Sequence, residues 1–176
     1  VVGADTVTLS GAGTLAGANA GTQTISSFGS LALSNNNYTL TGGTGSATID
    51  KVVLTVTADD KTRTYGSSNP SLTQTISGFV NSETTSVISG TATASTTATT
   101  STNAGSSTIS ASAGNLSATN YSFTTVDGTL TINPLAVSLS GSRAYNGNTD
   151  IGGSDLVVSN VVGADTVTLS GAGTLA

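Results

Sequence analysis

Few side chains in this sequence can carry chemistry. It holds no His, Cys, Met or Trp, and its ionisable side chains are nine acids, four bases and four tyrosines. General acid–base, nucleophilic and soft-metal chemistry lack their usual carriers, so the inventory is that of a protein that is not an enzyme. What remains is oxygen chemistry. Asp59-Asp60 and the group Asp150, Asp155 and Asp165 are candidate oxygen ligands for Ca2+. No EF-hand or nonapeptide calcium pattern accompanies them, which favours solvated acids and no cofactor. Lys51 or Lys61 with an Asn and Glu83 has the makings of an isopeptide crosslink, but neither lysine lies in a recognisable crosslinking pattern. Tyr38, Tyr65, Tyr121 and Tyr145 read either as a carbohydrate platform or as core and corner side chains. Each lies in a motif that occurs twice, and the duplication favours the core.

The elements that position these residues follow from a repeat. Val1 to Ala16 and Val161 to Ala176 are the same sequence, VVGADTVTLSGAGTLA, which sets a period of 160 residues. Identity of that length points to tandem duplication, and the chain reads as a window on a longer array. Within it, alternation of apolar and polar residues predicts short strands at 1–9 (with Val7 and Leu9 inward), 22–26, 30–33, 38–40 and 46–51. Further strands are expected at 52–58, 72–76, 84–89, 108–112, 121–124, 129–132, 135–139 and 156–159. A break at Gly42-Gly43 and a tight turn at Asn146-Gly147 separate some of them. The Ser/Thr/Ala run 91–102 permits a strand, and its Thr spacing is too irregular for a flat ice-binding array. No helical period with caps occurs. Short strands punctuated by turns predict an all-β fold of tandem small antiparallel β-sandwich modules in an elongated array.

A second, looser self-match divides the period. Asn19-Ala20-Gly21 corresponds to Asn103-Ala104-Gly105, Asn37-Tyr38 to Asn120-Tyr121, Gly45 to Ile49 to Gly128 to Ile132, and Arg63-Thr64-Tyr65 to Arg143-Ala144-Tyr145. These matches set the boundaries: 1–51 as the C-terminal part of one module, 52–134 as a complete second module, and 135–176 as the N-terminal part of the next copy of the first. Asn37, Asn115 and Asn120 also open formal glycosylation sequons. Because Asn37 and Asn120 stand in the shared Asn-Tyr motif, a structural turn explains them.

The second module resembles the MBG repeat domain through Tyr65-Gly66-Ser67-Ser68-Asn69-Pro70, Gly78-Phe79-Val80-Asn81-Ser82-Glu83, Gly114 to Tyr121 and Gly128 to Ile132. The first is similar to the companion YDG domain through Tyr145-Asn146-Gly147-Asn148-Thr149, Gly163 to Val167, Asn19-Ala20-Gly21 and Asn37-Tyr38, with Asn146 at the position of that family's naming Asp. Both families occur in large secreted and surface proteins of bacteria, of the filamentous-haemagglutinin and adhesin type. The resemblance implies an extracellular or cell-surface location and a stalk role without catalytic residues.

Charge and hydropathy narrow the partners. A net charge of −5 with only Lys51, Lys61, Arg63 and Arg143 as cations lacks the electrostatic footprint of nucleic-acid binding. No apolar run reaches the roughly 18 to 20 residues of a membrane span. The expected role is a structural repeat of a long extracellular fibre or adhesin stalk, with neighbouring copies of the same repeat as partners and head-to-tail assembly by strand complementation. The alternative is an adhesin module that binds surface glycans or a host protein.

Overall fold

The structure, a computed structural model, describes residues 1–40 and 45–174. The expected break at Gly42-Gly43 and the last two residues of the repeated stretch, Leu175 and Ala176, lie outside the described residues. Alternation of β-favouring Val, Ile, Leu and Thr gives a nearly all-β chain. The first segment carries β1 (Leu9–Ser10), β2 (Thr14–Leu15), β3 (Gly21–Ser27), β4 (Ala32–Leu33) and β5 (Ser46–Ile49). The central segment carries β6 (Val52–Ala58), β7 (Lys61–Thr64), β8 (Gln74–Ser77), β9 (Thr93–Ser95), β10 (Gly105–Ser112), β11 (Tyr121–Val126) and β12 (Gly128–Asn133). The last carries β13 (Ser138–Gly141), β14 (Asp150–Gly152), β15 (Leu156–Ser159) and β16 (Ala172–Thr174).

These strands form two compact units. The first comprises Val1–Val56, Ile76–Ala92 and Ser112–Thr125; the second comprises Thr57–Thr75, Thr93–Ala111 and Val126–Ala176. In the first, β1 pairs with β4 and β3 lies between β2 and β5. The sheet β11-β6-β8 has most of its residues there too. In the second, β7-β12-β10-β9 makes a four-stranded sheet, joined by the pairs β13-β15 and β14-β16. One pairing departs from the antiparallel expectation: β7 runs parallel to β12, with Arg63 opposite Ile132. The two strands are separated by most of the module, and a connection of that length permits a parallel pair where a tight hairpin would not.

Period-2 patterning shows most clearly in β12, where Gly128, Leu130 and Ile132 are buried and Thr129, Thr131 and Asn133 exposed. Likewise Leu54, Val56 and Ala58 of β6 are buried. In the second unit Ala58, Ala98, Ile109, Leu130 and Ile132 form a core, with Tyr65, Leu72, Ala94 and Ala111 packed against it. Burial is unevenly distributed along the chain. Apart from Ile151, every described hydrophobic residue that is buried lies between Leu54 and Ile132. Leu9, Leu139 and Val157 are 58%, 51% and 63% exposed.

Several expected strands are shorter or absent, and there turn bonds of the backbone or bonds to Ser and Thr side chains take over backbone groups a ladder would use. Strand 1–9 reduces to Leu9–Ser10, because Asp5 N–H donates to Val2 O and Thr8 N–H to Ser34 Oγ. The stretch 38–40 begins in a turn closed by Tyr38 N–H on Asn35 O. Within 84–89 a short 3-10 turn forms at Thr85–Val87, capped by the Thr84 side chain. The 91–102 run keeps only β9, with Thr96 Oγ1 donating to Thr108 O and Thr99 N–H to Thr102 Oγ1.

If the core is confined this way, Leu130→Ala should cost about 2–5 kcal/mol of unfolding free energy, the range for an enclosed leucine. Leu9→Ala should stay within about 0.5 kcal/mol, as for exposed sites. Urea unfolding of the two variants checks the contrast.

Candidate functional site

Carboxylates and tyrosines, scattered in the sequence, meet in the structure in a repeated arrangement. In the first unit the turn Val2–Asp5 closes with Asp5 N–H on Val2 O at 3.2 Å. Tyr38 is seated on it: its hydroxyl accepts Val2 N–H at 2.6 Å and donates to Asp5 Oδ2 at 3.0 Å. The turn Val80–Glu83 repeats this. Glu83 N–H reaches Val80 O at 3.0 Å, Val80 N–H donates to the Tyr121 hydroxyl at 3.3 Å, and that hydroxyl donates to Glu83 Oε2. The second residue of each turn has positive φ, 58° at Gly3 and 55° at Asn81. Asn tolerates that conformation, whereas Ser82, at φ 60°, is held in it at a cost of about 1–2 kcal/mol. The tyrosine bonds at both ends of the turn oppose that strain. Tyr121 itself is buried and meets the Phe79 ring edge-on at 5.8 Å.

The likeness extends into a neighbouring loop pair. Ser30 N–H donates to Ala12 O while Ala12 N–H donates to the Ser30 side chain. Correspondingly, Asn115 N–H donates to Thr91 O while Thr91 N–H donates to the Asn115 side chain. Both loops carry a serine-capped Gly, Gly29 N–H on Ser27 Oγ and Gly114 N–H on Ser112 Oγ. The Asn-Ala turn of the first segment also lies on the Asn-Tyr motif of the central one. Ala20 N–H donates to Asn120 Oδ1 at 2.8 Å, and Asn120 Nδ2 donates to Asn19 Oδ1 at 3.2 Å.

In the second unit the same turn recurs at Val162–Asp165, with Gly163 at φ 54° and Asp165 N–H on Val162 O at 3.0 Å. Here the tyrosine comes from a different motif. Tyr65 donates to Asp165 Oδ2 at 2.7 Å across a cleft of about 300 Å3 lined by Asn103, Ala104, Pro134 and Val162, among others. Arg63 holds the Tyr65 corner in place. It is 7% exposed, and its guanidinium donates to Asn69 Oδ1, Thr64 O and Thr99 O, while Asn69 Nδ2 donates to Ala98 O. Gly66, at φ +83°, lets Val162 approach, since a Cβ there would stand 2.4 Å from Val162 Cγ2.

The acidic residues singled out from the sequence do not converge, and among the described residues no three His, Cys, Asp or Glu side chains form a metal-sized group. Asp59 accepts the hydroxyls of Thr73 and Thr75, bonds that hold its carboxyl below the usual range. Asp60 Oδ1 accepts Thr129 N–H at 2.6 Å. Asp165 accepts Tyr65, and the Asp150 N–H is taken by Asn148 Oδ1. Asp155 ends a short 3-10 turn, Gly153–Asp155. The lysines are likewise engaged, Lys51 with Ala118 O and Lys61 with Thr73 Oγ1, not with Asn or Glu. Of the tyrosines read as core, Tyr121 is buried and Tyr65 packs on the core edge, but Tyr145 is 95% exposed. Sequence reasoning missed the tyrosine–carboxylate pairing. Its signal was the three-position spacing of Val and acid in Val2–Asp5, Val80–Glu83 and Val162–Asp165, each a turn rather than a strand.

Compared with known families, residues 54–131 match the MBG domain (YGX type). Tyr65-Gly66, which receives the Val162–Asp165 turn, lies within the matched stretch. No curated protein and no solved structure matches the chain.

The clasps predict alkaline sensitivity. The bond to Glu83, followed by burial and the carboxylate charge, raises the Tyr121 pKa above its ordinary value; the bond to Asp165 does the same for Tyr65. A raised folded pKa means the contribution is complete below the unfolded value of about 10 and is lost as pH rises through the folded one. Tyrosinate absorbance should therefore show Tyr121 and Tyr65 ionising above the ordinary phenol value of about 10, and Tyr121→Phe should remove one of the late steps. Gly66→Ala should bring the Tyr65 titration back toward the ordinary phenol value by pushing Val162 away.

Proposed function

We propose that this chain, whose residues 54–131 form an MBG domain of the kind typical of secreted, adhesin-like surface proteins, is a structural repeat from the shaft of a bacterial extracellular fibre or adhesin stalk. The observation that carries the reading is the position-by-position recurrence of one hydrogen-bonded arrangement, turn, tyrosine and loop pair, in 1–51 and in the MBG domain. A shaft needs identical units that present identical junctions, and recurrence of this kind supplies them.

The mechanism is mechanical. Each 160-residue period holds one module with its own core and a second module that this chain presents as two parts, 1–51 and 135–176, in which Ile151 is the one described hydrophobic residue that is buried. In an array those halves complete one another, 135–160 supplying the strands that precede a copy of 161–176 followed by the equivalent of 17–51. Between separate chains the same completion is strand exchange, a head-to-tail contact that does not close. In this reading the shaft has no catalytic task. Glycan or host-protein recognition belongs, in this reading, to other parts of the adhesin.

Small-angle scattering of the monomer tests it. A globular domain of this length has a radius of gyration of about 16 Å. The shaft reading predicts a value at least about a third larger with a skewed distance distribution, and a value near that of a globule contradicts it.

A further inference from the structure

We infer that Tyr145 is the donor half of a second module-to-module clasp, and that its occupant is the Val80–Glu83 turn of another copy of this repeat, with Glu83 accepting the Tyr145 hydroxyl. The inference rests on the proposed role as a repeat unit and names the residues that would join successive units. The observed clasp is the template. Tyr65, at the end of Arg63-Thr64-Tyr65, donates to the acid of a Val-x-x-acid turn 100 positions on. Arg143-Ala144-Tyr145 repeats that corner: the Arg143 guanidinium donates to Ala144 O, Asn146 Oδ1 and Asn148 O, holding its loop as Arg63 holds 64–69. Yet Tyr145, with the same phenol on the same kind of corner, is 95% exposed.

The acceptor half is also present and open. The Val80–Glu83 turn has the closing bond and positive φ of Val162–Asp165. Tyr121 bonds Glu83 Oε2, leaving further acceptor capacity on a carboxylate that takes about four bonds. Glu83 is half-buried at the rim of a cleft of about 290 Å3 lined by Asn19, Val87, Thr119, Asn120 and Tyr121. In the observed clasp an Asn-Ala turn, Asn103-Ala104, lines the cleft at Asp165; Asn19 and Ala20 stand at the same kind of place around Glu83. In a continuing array the copy of Glu83 that follows Tyr145 falls at almost the spacing that separates Tyr65 from Asp165. A phenol is neutral, so the contact pairs a donor with an anion in a chain that has few cations to offer.

Sedimentation velocity on the full chain up to about millimolar concentration tests the assignment. The wild type should show an average mass that rises with concentration. Tyr145→Phe, which keeps the ring and removes the donor, should weaken association at least tenfold. Glu83→Gln should do the same, because the amide retains one acceptor for Tyr121 and presents an N–H where the second phenol needs an oxygen; its melting curve shows whether the turn survives. An equimolar mixture of the two variants has one intact interface per pair and should stop at dimers. A wild type that remains monomeric, a Tyr145→Phe chain that associates like the wild type, or a mixture that polymerises overturns the clasp. None of these results touches the shaft reading, which the scattering of the monomer decides separately.

Discussion

The interaction on which the rest depends is a phenol hydroxyl holding a four-residue turn by its acid. The turn places a residue at positive φ, and in Val80–Glu83 two consecutive non-glycine residues are held there. Such a turn is stable when bonds close both of its ends, and the tyrosine does this with one oxygen that accepts at the first residue and donates at the fourth. Hydrogen bonds to a charged acceptor contribute about 1.5–3 kcal/mol in general. The arrangement also needs no cation, which suits a sequence with four bases in 176 residues.

The second constraint is where apolar surface can be covered. Between residues 54 and 132, Leu54 and Val56 in the first unit and Ile109, Leu130 and Ile132 in the second are buried. The flanking segments hold the same kinds of side chain in similar alternation but keep Leu139, Val157 and Leu9 largely exposed. Among the described residues, buried apolar surface is therefore centred on 54–132, while in the flanking segments tyrosine–carboxylate bonds hold the turns Val2–Asp5 and Val162–Asp165.

Much of the central module was legible in the sequence, because β6, β10 and β12 are period-2 strands and the repeat revealed which motifs matter. Strands built from Ser and Thr were not legible. In 84–89 and 91–102 hydroxyls bond their own backbone, and alternation does not distinguish a β-strand from a chain satisfied locally. The clasps escaped because Tyr38 and Asp5, or Tyr65 and Asp165, are far apart in sequence and each residue has an ordinary explanation by itself. Burial was equally hidden: Tyr145 and Tyr65 share a motif, yet Tyr65 is half-buried, packed on the core and bonded to Asp165, while Tyr145 is 95% exposed.

The most direct measurement of the clasp as a unit is a double-mutant cycle on Tyr121 and Glu83, read by equilibrium unfolding with Tyr121→Phe, Glu83→Ala and the combined variant. If the hydroxyl and the carboxylate act through each other, the combined variant loses no more stability than the more damaging single change. If the two losses simply add, the tyrosine and the acid are independent residues that happen to lie close together, and the account of this chain as a series of clasped turns is contradicted.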